Sequence, residues 1–207
     1  MSKLIPAILE KNEAEVFKKV EILRKIGLTI AHLDVMDGLA VPNKCVGGPE
    51  LASRLDIDLE IHLMVKNPLE EAKKYLELKN VVRIIVRSEE LANFDEYSKL
   101  LKESEKIGLA IDPETQISEK LVYLLDIGYL LIMGVNSGFS GQSFIPSVLT
   151  RIVLARSMWP KILIGIDGGM NERTIPMVKK RGFEIINAAS YFWGGNKEEI
   201  IKFVEGD

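Results

Sequence analysis

Ile30–Gly38, IAHLDVMDG, is the stretch on which the fold reading turns. Leu33 and Val35 alternate with His32, Asp34 and Met36, so an extended chain places the metal-capable groups on one face and the aliphatic ones on the other. Glu60–Val65, EIHLMV, repeats the arrangement, with His62 and Met64 on one face and Ile61 and Leu63 on the other. The chain has two histidines, and both sit inside apolar strands with the parity of a following methionine. In a third segment, Ile162–Gly169, ILIGIDGG, an apolar run ends in Asp167 and two glycines.

Working outward, eight short apolar runs read as strands: Leu4–Leu9, Thr29–Val35, Leu59–Val65, Val81–Val86, Leu109–Ile111, Tyr129–Val135, Ile162–Ile166 and Glu184–Ala188. Helical patterns alternate with them over Ala14–Ile26, Leu69–Leu78, Phe94–Ile107, Glu119–Leu124, Val148–Met158, Glu172–Arg181 and Lys197–Val204. Pro68, Ser118 and Pro146 supply start signals, and Pro49–Leu55 leaves room only for a truncated helix. Unbroken strand–helix alternation implies a parallel sheet, either open and doubly wound or closed. The chemistry separates the two. In a closed barrel the C-terminal ends of all strands gather at one mouth, where groups from the second, third and seventh strands can meet. We therefore expect an α/β fold, a single (β/α)8 TIM barrel spanning residues 1–207 as one domain. Its loops must be lean, because such barrels typically take roughly 250 residues.

Composition bounds the function. With 207 residues, 47% of them hydrophobic and 28% charged, the chain can bury one substantial core. A formal charge of −3 offers no basic excess for nucleic acid or an anionic membrane, and no apolar run approaches the roughly 20 residues of a membrane span. The lone Cys45 excludes an internal disulfide, and Glu10, Glu13 and Glu15 come too early for a signal peptide, so a cytoplasmic location is expected.

At a barrel mouth His32, Asp34, His62 and Asp167 would converge on one ion. Singly, a histidine on an apolar strand is an ordinary core residue and a strand-end aspartate a helix cap. Together they would bury several polar groups in need of partners, a cost that a cation relieves. Two imidazoles and two carboxylates suit Zn²⁺, Fe²⁺, Mn²⁺ or Co²⁺. Asp37, followed by Gly38, reads as a turn residue. A second constellation is Asn136–Gln142, NSGFSGQ, where Gly138, Phe139, Ser140 and Gly141 form either an ordinary glycine loop or an anion cradle. Barrel enzymes often hold phosphate in the loops after strands seven and eight, which makes Gly168, Gly169, Ala188 and Ala189 candidate backbone donors.

These segments resemble the ribulose-phosphate 3-epimerase family nearly end to end. The carriers are PAIL (Pro6–Leu9), HLDVMDGLAVPN (His32–Asn43), HLM (His62–Met64), IDPET (Ile111–Thr115), MGVNSGFSGQSF (Met133–Phe144) and IDGGMN (Ile166–Asn171). The resemblance implies one divalent metal on His32, Asp34, His62 and Asp167. It implies too that Asp34 and Asp167 form the acid–base pair of a C3 epimerisation, D-ribulose 5-phosphate to D-xylulose 5-phosphate, through an ene-diolate. Met36, Met64 and Met133 would line the substrate cavity, with Ala7 at a substrate-contacting position, and a homo-oligomer is expected. The chain departs from the family pattern at Ala7 (usually Ser), Arg87 (His), Ser137 and Ser140 (Pro and Gly) and Ala188–Ala189 (Gly-Ser). A one-residue shift would restore Ser190 to the last pair. The departures bear on the sugar, so an epimerase of another ketose phosphate, such as allulose 6-phosphate, is an alternative. A catalytically inactive metal- or phosphosugar-binding barrel is another, against which stands retention of all four ligand residues. Aldolases and decarboxylases of related barrels use lysine-containing arrays that this constellation does not match.

Overall fold

In the computed structural model, which describes residues 2–91, 94–117 and 128–206, every one of the eight expected runs is a strand. They are β1 (Lys3–Ile8), β2 (Ile30–Asp37), β4 (Asp58–Met64), β5 (Val81–Arg87), β6 (Ile107–Ile111), β7 (Tyr129–Met133), β8 (Leu163–Asp167) and β9 (Ile185–Ala188). A two-residue strand, β3 (Lys44–Cys45), folds back antiparallel on the end of β2, a pairing too short to show in the sequence. The other pairings are parallel, and the ring closes where β1 meets both β9 (Lys3↔Ile185) and β2 (Ala7↔His32). The architecture is the expected (β/α)8 TIM barrel.

The period-two pattern sorts the strand side chains into two layers. Leu33, Ile61, Leu63, Ile84, Leu109, Ile132, Ile164 and Ile186 pack outward against the helices, whereas Ile5, Ile85, Ala110, Tyr129, Leu131 and Ile185 form a separate cluster. Tyr129 fills space that its neighbours leave open. A Cβ on Gly108 would stand 2.9 Å from its ring, and one on Gly165 would collide with its hydroxyl. Large against small on adjacent strands packs the barrel solid, and each fully buried Leu or Ile contributes about 1.5–3 kcal/mol.

Helix α1 (Glu13–Lys25) starts at Asn12, whose side chain accepts from the Glu15 N–H at 3.0 Å, and it buries Val16, Val20 and Leu23. Helix α2 is the expected single turn, Pro49–Ser53. Helix α3 (Pro68–Lys73) stops short of the expected Leu78 and continues in tighter turns in which Tyr75 N–H donates to Ala72 O and Leu78 N–H to Tyr75 O, with Tyr75 fully buried. Helix α4 spans Phe94–Glu103, and a 3₁₀ turn at Pro146–Thr150 leads into α5 (Arg151–Met158). The expected helix Glu119–Leu124 and its Ser118 cap lie outside the described residues. Helix α6 (Thr174–Arg181) ends on Gly182 in the left-handed conformation, and α8 (Lys197–Glu205) is capped by Asn196. Between them α7 (Ser190–Gly194) is an extra short helix directly after β9. Among the described residues no helix is long and apolar enough to cross a membrane.

Candidate active site

Strand register assembles the site. Asp34 on β2 faces His62 on β4, Met36 faces Met64, and Asp167 at the end of β8 lies between Met133 on β7 and Asn187 on β9. His32, Asp34, His62 and Asp167, all buried, each bring a ligand atom to within 4.8 Å of the others. Asp34 Oδ1 lies 3.1 Å from His62 Nδ1 and 3.3 Å from His32 Nε2, the latter without hydrogen-bond alignment. Both nitrogens of His32 and Nε2 of His62 lack a hydrogen-bond partner among the described residues. Leaving a buried polar atom unsatisfied costs about 1–3 kcal/mol, and three within one cluster is a debt that ordinary packing does not carry. Borderline nitrogen donors beside two carboxylate oxygens are the donor set of a divalent transition metal, so the residues fit the ion expected from the sequence.

The two aspartates are pushed in opposite directions. Burial raises both, but around Asp34 the two histidines outweigh it and hold the carboxyl below its ordinary range. At Asp167 burial, reinforced by the Asp34 charge, prevails and the carboxyl is raised. Burial likewise disfavours a charged His32, yet Asp34 and Glu60 overcome it and raise the imidazole well above its usual range.

Beneath the cluster lies a polar floor not anticipated from the sequence. Glu60, fully buried, points at His32 Nδ1 from 3.9 Å, is ion-paired to Arg83 on β5, and lies 3.4 Å from Asn187 Nδ2 across the barrel. Arg83 in turn stacks over the Tyr129 ring, 3.9 Å from its centroid. A carboxylate that shares a face with His62 in EIHLMV is the signal that could have found it.

Above, a cavity opens at the C-terminal ends of the strands. Asp34 and Asp167 reach it, and Met36, Met64 and Met133 form part of its wall. Its rim is made by Gly138, Phe139, Ser140 and Gly141 on one side and by Gly168, Gly169, Ala188 and Ala189 on another, with Ser190 beside them at the start of α7. Ala7, in register with His32, is fully buried on the inner face of β1 between Ile5 and Leu9, its carbonyl accepting from Trp193 Nε1 at 2.7 Å, and Leu9, just beyond β1, lines the cavity. Arg87 stays outside, its guanidinium turned to Asp112, Glu89 and Glu90. Asp37 is the turn residue it resembled: its carboxylate accepts from the N–H groups of Leu39, Ala40 and Lys66 at 2.7–3.0 Å.

The family model described as the ribulose-phosphate 3 epimerase family matches residues 3–193. The chain belongs to that family. The ribulose-phosphate 3-epimerase of Bacillus subtilis is 30% identical over 217 residues, covering 100% of this chain and 99% of the relative, and that of Aquifex aeolicus is 32% identical, covering 96% and 93%. Among solved structures, 3-hexulose-6-phosphate synthase superposes with a TM-score of 0.68 at 15% identity over 98% of this chain and 97% of its own, a likeness of fold alone. Family membership makes the chain an epimerase, and the mouth of the barrel is where such chemistry belongs.

Proposed function

We propose that the protein epimerises D-ribulose 5-phosphate at C3 to D-xylulose 5-phosphate, with Asp34 and Asp167 as the acid–base pair. The observation that carries this reading is a pair of buried carboxylates reaching one cavity from different strands, beside two histidines with unpartnered nitrogens. His32, Asp34, His62 and Asp167 would hold one divalent cation (Zn²⁺, Fe²⁺, Mn²⁺ or Co²⁺), which would supply Lewis-acid stabilisation of developing oxyanion charge. One aspartate removes the C3 proton and the other delivers one to the opposite face of the ene-diolate, the roles exchanging in the reverse reaction. Met36, Met64 and Met133 keep water from the reacting carbon and adapt to the sugar's shape.

The phosphate end belongs at the opposite rim. Barrel enzymes often seat phosphate between the loops after the seventh and eighth barrel strands and a short extra helix, which here are Gly168–Gly169, Ala188–Ala189 and α7. Backbone N–H groups serve there whatever the side chain, and Ser190 offers a hydroxyl beside the two alanines. The loop of Gly138, Phe139, Ser140 and Gly141 closes the same rim. The test is product formation by purified protein supplied with each divalent metal in turn. Xylulose 5-phosphate should appear, and Asp34→Asn and Asp167→Asn should each reduce kcat by roughly 10³-fold with the fold intact. Metal-loaded protein that leaves ribulose 5-phosphate untouched would overturn the substrate assignment, and turnover of allulose 6-phosphate instead would replace it.

A further inference from the structure

Two departures from the family pattern, Arg87 and Ser137, lie 50 positions apart, yet the structure joins them through one carboxylate. Asp112, just beyond the end of β6, divides its oxygens: Oδ2 takes Arg87 Nη2 at 2.5 Å, and Oδ1 accepts from the Ser137 hydroxyl. Its backbone is held as well, the N–H donating to Glu89 Oε1 at 2.9 Å and the carbonyl accepting from Arg151 Nη1 at 3.1 Å. Arg87 is buried, its side chain 6% exposed, and is gripped further by Glu89 and Glu90 at 3.6 and 3.4 Å. Asp112 is thus a fixed post, and Ser137 is the loop residue tied to it. Among the described residues a second outside tie is Asn43 Nδ2 to Gly138 O at 2.8 Å, while Gln142 Nε2 braces the loop internally through Asn136 O and Phe139 O. Gly138 and Gly141 both have positive φ, so the backbone between has little stiffness of its own.

We propose that Asp112, locked by Arg87, is a positioning residue that sets the height of the 136–142 loop over the cavity through the Ser137 hydroxyl, and so tunes affinity for the anionic end of the substrate. The part concerning affinity rests on the proposed function. A hydrogen bond to a charged acceptor is worth enough for its loss to weaken ground-state binding by roughly tenfold. Neither Arg87 nor Asp112 lines the cavity, so their influence passes through the loop.

The test compares Ser137→Ala, Asp112→Ala and the double variant with the wild type, by hydrogen–deuterium exchange of peptides covering 136–142 and by steady-state kinetics. All three should exchange faster in that loop, to the same degree, with the barrel strands unchanged. KM should rise roughly tenfold at nearly constant kcat, and Ser137→Ala should add nothing in the Asp112→Ala background. A KM effect of Ser137→Ala that is equal in both backgrounds would mean that the hydroxyl touches substrate itself, and the relay would be wrong. Unaltered loop exchange in Ser137→Ala, which removes one hydroxyl and leaves the fold intact, also overturns it even if Asp112→Ala fails to fold. The exchange arm needs no turnover, so an inactive wild type would refute the proposed function and not the relay.

Discussion

Gly169→Ala tests the construction of the rim. Gly169 has φ +73, and an alanine Cβ there would lie 2.7 Å from Phe144 Cα, 2.8 Å from its Cβ and 3.0 Å from its N, so the obstruction is largely backbone. The left-handed conformation costs a non-glycine residue about 1–2 kcal/mol, and forcing a methyl into packed surroundings about 1–3 more, giving a loss of about 2–5 kcal/mol. At roughly 2–4 °C per kcal/mol for a chain of this size, Tm falls by about 4–20 °C. Gly182→Ala is the control: φ is +83, but nothing lies within 4 Å of the added Cβ, so only the conformational cost applies and Tm falls by about 2–8 °C. Calorimetric scans of both variants measure the difference. Equal losses in the two would refute the claim that the Phe144 backbone closes over Gly169.

His62→Ala removes one of the four candidate ligands, and metal affinity, read by elemental analysis after dialysis against graded metal concentrations, should drop by more than the roughly 10–100-fold that an outer-shell partner commands. Glu60→Leu strands Arg83 without its buried counter-charge and should cost about 3–5 kcal/mol in urea unfolding, much of it recovered in Glu60→Leu/Arg83→Met. Burial, with the Asp34 and Glu10 charges, lifts the Cys45 thiol to about 11. A raised thiol pKa keeps the neutral form as pH climbs, so iodoacetamide should label native protein very slowly at pH 8 and quickly in urea, as followed by intact mass.

Much of the fold and part of the site could be read in the residues. Period-two alternation in IAHLDVMDG and EIHLMV, with an aspartate closing ILIGID, places groups at strand ends, and parallel closure does the rest, because Asp34↔His62 is a register neighbour. Where prediction failed, the cause was long-range structure. The β3 pairing and α7 are too short for a periodic signal, and α3 gives way early to tighter turns around the buried Tyr75. The Glu60–Arg83–Asn187 floor joins residues more than 100 positions apart, and each looks unremarkable alone. Arg87 faces acids and not the cavity because Asp112, Glu89 and Glu90 converge on it, a preference that only the folded loops reveal.

The most direct measurement of the central claim follows C3 of D-ribulose 5-phosphate by NMR in D2O with metal-loaded protein. Deuterium should enter at C3 as xylulose 5-phosphate forms, and formation of xylulose 5-phosphate should fall roughly 10³-fold in both Asp34→Asn and Asp167→Asn. Product formed without deuterium at C3, or exchange undiminished in both variants, would contradict proton transfer by this pair of aspartates.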